Sequence, residues 1–446
     1  MEVAVKLEVD DAEDWTYRGE GAVNLVLAYT GSSPHLKMGK VLRIQKMATA
    51  RSGDITALTE EERLVWREED QMVLCPTRDM VDHHFVSFIM RPLLGPSLVD
   101  PGVRVGVSRE FLGAIQQKTV ALRPAWRIEA ANVDTDRDSA ILMADHSFFP
   151  GGAVDGGPCL SVEIKPKCGF LPSSRFIDDR YAFKKSVPRY TMHQLLKLQK
   201  QEVSELSQYD PLDLFSGSRE RICKAIKDLY ATPQNNFRVF LNGSLIFGGL
   251  GGGTKKTSPN ISGVFEEELK SVILATNGSR IESFIQLVAD TLYSSRVLDQ
   301  LLKVQRLDNL DIEGVIHVYY NSVSRPCTVC KELAESGLPN RYASLHSLGI
   351  EQSVKILKDY LIATTAKDCS IMISYRPTVD ENHVSPSAIS VHLPSTDQRF
   401  DYKVHFIDLD LKPLTKMEDY YKLDQKILRS YEQMVEMKLA GHKSTN

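Results

Sequence analysis

Residues Ser161–Phe170 read SVEIKPKCGF. The stretch alternates as a strand must: Leu160, Val162 and Ile164 fall on one face, and Ser161, Glu163, Lys165 and Lys167 on the other. A buried apolar side is thus backed by a carboxylate and two ammonium groups, spaced two residues apart. Like charges held that close repel, and an anion between them relieves the repulsion. A solvated strand face would carry the same charges, so the neighbouring chain has to decide. Residues 163–200 hold nine Lys or Arg against three Asp or Glu, inside a chain of formal net charge −4. The spacing predicts a helix over Tyr190–Leu206, with Met192, Leu195, Leu196, Val203 and Leu206 on its core stripe. His193, Lys197 and Lys200 form a neighbouring stripe. Strand and helix together point to a local polyanion site.

The chain has 446 residues, 42% hydrophobic and 25% charged, an ordinary soluble composition that predicts two or three domains or lobes. With a net negative charge there is no global basic field for nucleic acid, and an anion site has to be built locally. The first residues, MEVAVKLEVDDAEDW, are acidic and lack the apolar core of a signal or transit peptide. No run reaches the roughly 18 apolar residues of a spanning helix. Seven cysteines without a secretion signal read as reduced thiols in cytoplasm or nucleus. Nothing calls for more than a monomer, a nucleic acid or a membrane.

Upstream, WTYRGEGAVNLVLAYT (15–30) reads as strand, glycine turn, strand. Gly19 and Gly21 let backbone amides close on a phosphate, although Asn24 holds the place of a third glycine and a plain hairpin reads as well. GKVLRIQK (39–46) is a β-rich run whose Arg43 and Lys46 would reach a nucleotide under that hairpin. A charged helix is expected over Thr59–Leu74 and a strand over Phe85–Leu94, closing on Pro92. Ser108–Leu122 reads as a helix. Ala140–Phe149 reads as an apolar strand ending in Asp145 and His146, followed by a glycine-rich hinge. Downstream, a helix capped near Ser216 or Ser218 runs to Ala231, and FRVFLNGSLIF (237–247) is extended. Gly248–Ser262 has a linker's composition, and helices follow at Phe265–Ala275 and Arg280–Leu302.

Cys327-Thr-Val-Cys330 is the most specific local chemistry. His317 lies ten residues before Cys327, and His346 sixteen residues after Cys330. Two cysteines at this spacing grip one tetrahedral ion, and two histidines complete a Cys2His2 set. Free thiols beside buried histidines are the other reading. Four protein ligands leave no open position, so the expected zinc is structural. Asp368 stands at the mouth of the strand SIMISYRP, and KVHFIDLDLKPL (403–414) alternates, with Asp408, Asp410 and Lys412 on one side. Carboxylates on a strand end suit Mg²⁺, which takes oxygen ligands together with phosphate oxygens. Surface alternation reads the same way. A charged helical tail follows to about Met437.

GEGAVN, MRPLLG, EIKPKCGF, the Cys/His cluster and FIDLDLKP, in that order over nearly the whole chain, resemble inositol-pentakisphosphate 2-kinases, the plant form in particular. The resemblance implies an α+β, two-lobed inositol-phosphate kinase fold distantly related to protein kinases, whose H-R-D and D-F-G signatures are absent here. It implies an N-terminal lobe over 1–145, a hinge over 146–157 and a larger C-terminal lobe over 158–446, the latter with the zinc cluster at 317–346. The implied reaction moves the γ-phosphoryl of ATP to the axial 2-hydroxyl of inositol 1,3,4,5,6-pentakisphosphate. Gly19, Glu20, Gly21 and Ala22 would cover the ATP phosphates with Arg43 nearby. Asp145 and His146 would sit at the adenine hinge, and Glu163 and Lys165 against the nucleotide. Asp408 would hold Mg²⁺, Lys165 would neutralise the phosphoryl in flight, and Asp368 would orient or accept the hydroxyl proton. Lys412 joins this catalytic group. Arg127, Lys167, His193, Lys197, Asn235, Lys412, Lys416 and Tyr420 would bind inositide phosphates. At 416 the family pattern expects arginine; lysine keeps the charge and loses the planar fork. A non-catalytic inositol-polyphosphate receptor and a kinase of different position specificity are the alternatives. A zinc-finger interaction protein is disfavoured by one short cluster in so long a chain.

Overall fold

The computed structural model describes residues 6–21, 23–32, 36, 39–49, 57–149, 157–249, 259–276, 278–334, 341–378 and 389–443. Helices and two separate sheets make a mixed α+β fold. The first sheet holds β1 (Lys6–Leu7), β2 (Trp15–Glu20), β3 (Asn24–Tyr29), β4 (Lys40–Ala48), β5 (Val103–Val107), β6 (Ala131–Val133) and β7 (Ser139–Ala144). Its order is β1-β5-β7-β4-β3-β2, with β6 paired to the far end of β4. Strict alternation in β3 puts Leu25, Leu27 and Tyr29 inward. They meet Phe111, Leu112 and Ile115 from the helix Arg109–Thr119, which starts where the Ser108 hydroxyl accepts the Phe111 N–H at 3.2 Å.

The second sheet is antiparallel throughout, ordered β10 (Ser244–Phe247), β9 (Phe237–Leu241), β8 (Leu160–Ile164), β11 (Ser370–Pro377), β13 (Gln398–Ile407), β12 (Ile389–Leu393). β8 lies between β9 and β11, and all five of its residues are buried. Both faces are therefore covered, which excludes the solvated-face reading. The strand stops at Ile164: Lys165 and Lys167 leave on the following loop, and Lys167 is left-handed at φ 61°. β13 likewise stops at Ile407, and Asp408 turns left-handed at φ 60°. Asp408, Asp410 and Lys412 thus share a loop, not a strand face.

Other expectations need correction. Phe85–Leu94 is helical, continuing the helix Arg78–His84 through one wide turn over Phe85–Met90. Phe85, Ile89, Met90 and Leu94 recur at helical spacing and face the core; an apolar run this short reads either way from sequence. The helix predicted to reach Leu206 spans Arg189–Gln199, because Gln201 turns left-handed at φ 58° and closes it. Val203 and Leu206 are off the stripe. The Arg280–Leu302 helix is two, Arg280–Ser295 and Val297–Gln305, broken at left-handed Arg296. A helix Pro259–Glu268 begins inside the predicted linker, whose residues 250–258 lie outside the described ones. Residues 150–156 of the expected hinge also lie outside them. The helices between Glu60 and Leu94 pack into the core of the second sheet, not the first.

One buried cation holds three segments of that larger core. Lys184 Nζ donates to Asp311 Oδ1 (2.6 Å), Glu313 Oε1 (3.0 Å) and Asp424 Oδ2 (2.8 Å). Arg189 Nε joins at 3.1 Å from Asp424 Oδ1, anchoring the first turn of the helix Arg189–Gln199. Burial alone would lower the Lys184 ammonium; the three carboxylates outweigh it and hold the group charged. Replacing Lys184 by Met leaves three buried carboxylates without their cation. Denaturant unfolding should show a loss of about 3–5 kcal/mol; an unchanged midpoint would show the network to be dispensable.

Candidate active site

A cavity of about 1510 Å³ opens between the two sheets. Gly19, Glu20, Gly21 and Arg43 line it from the first sheet and its turn, Asp145 and His146 from the connection, and Glu163 from the second sheet. Lys165 and Lys167 line it from the loop after β8, Asp408 from the loop after β13, and Asp368 from a helix end. Arg127, Lys197 and Asn235 line it as well. His193 stands one turn before Lys197, outside the lining, and Lys412 reaches the site through Asp368. Lys416 is exposed, and the Tyr420 hydroxyl donates to the Pro413 carbonyl at 3.5 Å; neither lines the cavity. Ala22 lies outside the described residues.

Two carboxylates and three lysines form the centre. Lys165 Nζ sits 3.0 Å from Asp408 Oδ2. Lys167 Nζ sits 3.4 Å from Asp368 Oδ1, and Lys412 Nζ 2.8 Å from Asp368 Oδ2. Asp368 ends the helix Ile350–Asp368, where the helix dipole opposes a negative charge. Burial would raise its carboxyl, but the Lys167 and Lys412 ammonium groups outweigh burial and hold it well below the usual range. The Lys165 ammonium, against burial and with help from Arg43, pulls the Asp408 carboxyl down to about 2. Both acids are ionised at neutral pH. Since the folded value of Asp408 lies below the ordinary one of about 4, its stabilising contribution is full above that pH and is lost as pH falls toward 2.

The second carboxylate of the D-L-D motif has a different task. Asp410 accepts two bonds from Arg43 Nη2, both 2.9 Å, and one from Asn24 Nδ2 at 2.9 Å. Arg43 and Asn24 belong to the first sheet, so Asp410 ties the sheets across the cavity floor. Glu163 is also engaged: Arg238 Nη1 and the Ser370 hydroxyl each donate to it at 2.9 Å. Glu20 is held between Lys46 and Arg123, which draws Lys46 away from the cavity. Asp145 accepts from the Ser147 N–H (2.9 Å) and hydroxyl (2.5 Å), and that hydroxyl accepts from Arg18 at 2.6 Å. His146 stacks on His405 at 3.8 Å.

Toward the other end the charge is only partly compensated: Glu202 acts on Lys197 and Glu20 on Arg127 without closing an ion pair. Arg127 lies over the Trp126 ring at 4.1 Å, and among the described residues neither it nor Lys197 has an ion-pair partner. Burial, then the charges of Arg189, Lys197, Lys167 and Lys200, push His193 down to about 3 and leave it neutral. Lys167, Lys197 and Arg127 are all lowered, burial being the largest cause. An empty site of this kind is self-repelling, and a polyanion relieves it. Asn24, Arg18, Arg238 and Ser370 were missed from sequence. Arg238 faces Glu163 across the β8–β9 ladder, a pairing that only strand order reveals.

Away from the cavity, His317, Cys327, Cys330 and His346 converge. Cys330 Sγ lies 3.3 Å from His317 Nδ1 and 3.1 Å from His346 Nε2; Cys327 Sγ lies 3.5 Å from His317 Nδ1, and the two rings approach at 3.2 Å. A tetrahedral ion with bonds of about 2.0–2.3 Å has ligand–ligand edges of roughly 3.3–3.8 Å, so the donor set fits zinc. Asp311, Glu313 and Asp424 also crowd within metal-ligand distance, but the Lys184 ammonium fills that space.

Phosphoryl transfer depends on positioning and charge neutralisation, and the carboxylates and lysines gathered in this cleft suit the class of enzyme that performs it, the kinases. The family model described as inositol-pentakisphosphate 2-kinase matches residues 17–426. The chain is 55% identical over 432 residues to the inositol-pentakisphosphate 2-kinase of Arabidopsis thaliana, covering 95% of this chain and 94% of that one. It is 46% identical over 434 residues to that of Oryza sativa subsp. indica (96% and 95% covered), and 29% identical over 490 residues to that of Danio rerio (96% and 95%). The chain belongs to the inositol-pentakisphosphate 2-kinase family.

The Lys165–Asp408 attraction can be tested directly. In Lys165→Met the Asp408 carboxyl should titrate at a higher pH, moving toward the ordinary carboxylate range, as followed by the carboxyl ¹³C signal of labelled aspartate. An unmoved titration would assign the depression to another group.

Proposed function

We propose that this kinase transfers the γ-phosphoryl of ATP to the axial 2-hydroxyl of inositol 1,3,4,5,6-pentakisphosphate, giving inositol hexakisphosphate. The observation that carries the reading is Asp368, an ionised carboxylate held by Lys167 and Lys412 beside the Lys165–Asp408 pair. A carboxylate facing a polyanion is unhelpful to a mere receptor and useful to a kinase, where it orients the attacking hydroxyl, or accepts its proton once the substrate phosphates draw Lys167 and Lys412 away and its basicity rises. Lys165 neutralises charge on the phosphoryl as it passes, and Lys167, Lys197, His193, Arg127 and Asn235 hold the ring phosphates. The neutral His193 gains a proton as phosphates arrive, because a nearby anion stabilises the imidazolium. Lys412 bridges Asp368 to the loop that leads to Lys416 and Tyr420, which extend the inositide surface.

On the nucleotide side, Gly19, Gly21 and Ala22 cover the phosphates. Glu20 shapes that turn from its buried pairing, and Arg43 and Glu163 line the pocket below. Asp145 and His146 provide the adenine-facing connection. Magnesium fits at Asp408, whose Oδ1 has no hydrogen-bond partner among the described residues; it would supply charge neutralisation on the phosphates. Zinc fits the Cys2His2 set and would pin the helices carrying His317 and His346 without touching the reaction. We read the two sheets as the cores of two lobes joined through 146–157. The protein acts on a small molecule as a monomer in cytoplasm or nucleus. Among the described residues no helix is long and apolar enough to cross a membrane.

Product chromatography after incubation with ATP, Mg²⁺ and a panel of inositol pentakisphosphate isomers tests the reaction. Only the isomer with a free 2-hydroxyl should be converted, and Asp368→Ala should lose roughly 10²–10⁴-fold in kcat. Tight binding without turnover of any isomer would return the receptor reading. Metal analysis should find about one zinc per chain, lost in Cys330→Ser together with a lower melting temperature; an unaltered metal content would remove the zinc assignment.

A further inference from the structure

We propose that Gln305 is a positioning residue for phosphoryl transfer, setting the lysine loop against the Asp368 carboxylate. The inference rests on the site reading above and goes beyond it to a residue outside the cavity. Gln305 is the last residue of the helix Val297–Gln305 and is fully buried. Its Oε1 accepts the Gly169 N–H at 2.8 Å; its Nε2 donates to the Lys167 carbonyl at 2.8 Å and the Ala366 carbonyl at 3.1 Å. One planar amide therefore bonds the loop that carries Lys165 and Lys167 and the helix end that carries Asp368.

Both bonded segments need an outside partner. The loop has left the sheet, and Lys167 adopts φ 61°, a conformation that side-chain-bearing residues avoid and that the ladder no longer enforces. The Ala366 carbonyl is among the last four of its helix; besides Gln305 it meets the Cys369 thiol at 3.4 Å, a weak donor. The remaining loop ties run elsewhere: the Lys165 N–H to the Asn236 carbonyl at 2.9 Å, and the Tyr209 hydroxyl to the Pro166 carbonyl at 2.8 Å. Gly169 is wedged where a Cβ would lie 2.3 Å from the Phe215 ring, so the loop has no slack on that side. The β8–β11 ladder, with Ile164 opposite Ile371, fixes the roots of the two segments. Beyond it, among the described residues, the Lys167–Asp368 pair, the Lys367 ammonium over the Phe170 ring (5.1 Å) and Gln305 join them, and of these Gln305 alone bonds backbone on both sides.

The demand is for two donors and one acceptor at a fixed reach. Glutamate supplies no donor when ionised, and methionine supplies none at all. Freed from the amide, the loop and helix end can drift by a fraction of an ångström, and misplacement on the order of 1 Å costs about 10²-fold in rate. The nucleotide side, held through Glu163 to Arg238 and Ser370, does not pass through Gln305.

The test compares Gln305→Met, Gln305→Glu and Leu301→Ala, a core truncation in the same helix. Gln305→Met should fold, lose tenfold or more in kcat and keep KM for ATP within about twofold, whereas Leu301→Ala should lose stability with kcat retained. Gln305→Glu adds a readout that a purely structural role would not move. Its carboxyl, facing two carbonyls, is inactive when ionised and regains a donor when protonated, so its kcat relative to wild type should rise as pH is lowered from 8 to 6. The same ratio for Gln305→Met should stay flat. A Gln305→Met kcat within twofold of wild type, or a loss matched by Leu301→Ala at equal melting temperature, would overturn the proposal. So would a flat ratio for Gln305→Glu. Asp368→Asn is run in parallel: if it is inactive while Gln305→Met is normal, only the positioning role fails, and if it is fully active the site reading itself fails.

Discussion

Asp368 sits at the C-terminal end of a nineteen-residue helix, the least favourable place on a helix for a carboxylate. Its charge survives because two ammonium groups, on two different loops, close on its two oxygens. That electrostatic constraint organises the surroundings. The loop after β8 has to abandon the sheet so that Lys167 can reach, and the loop after β13 has to turn back so that Lys412 can. Each change of direction costs a left-handed residue, and each is repaid by an ion pair that the other loop could not make alone.

The cleft inherits a graded charge from this arrangement. At the Asp408 end, acids and bases are matched: Lys165 with Asp408, Arg43 and Asn24 with Asp410, Arg238 and Ser370 with Glu163. Toward Lys197 and Arg127 the bases outnumber the acids. A nucleotide and its cation together carry a modest charge, while a pentakisphosphate carries a very large one, so a matched end and an unmatched end suit two substrates of such unequal charge. The gradient arises in a chain that is acidic overall.

Much of this was legible from sequence because strands declare themselves by alternation and helices by their caps. β11 stood where the pattern put it, β8 and β13 were found with other ends, and of the two serines expected to cap the helix to Ala231 it is Ser218 that does so. The Cys/His set was legible for a different reason: ligand chemistry fixes a spacing. Strand ends were illegible. Nothing local marks Lys167 or Asp408 as left-handed, so alternation was carried past the true stops. Phe85–Leu94 failed because a short apolar run satisfies both periods. The partners of Glu163, Glu20 and Asp410 were out of reach because they depend on which strands become neighbours. The plain hairpin offered for 15–30 is what forms, but nothing local announced that the Asn24 amide is what it contributes to Asp410.

The buried Lys184 carries a consequence for how the molecule responds to its ionic surroundings. Three carboxylates in one pocket are ordinarily an invitation to a dissolved divalent ion, and a fold resting on such an ion would soften whenever calcium or magnesium ran low. Here the counter-ion is covalently part of the chain: it has no dissociation constant, and no chelator can extract it. The anchorage beneath the helix Arg189–Gln199 is thereby insulated from calcium and magnesium supply. The helix Asp311–Ser322, which lends Asp311 and Glu313 to it, meets the Cys2His2 corner through His317, so the two fastenings of that helix answer to different chemistry.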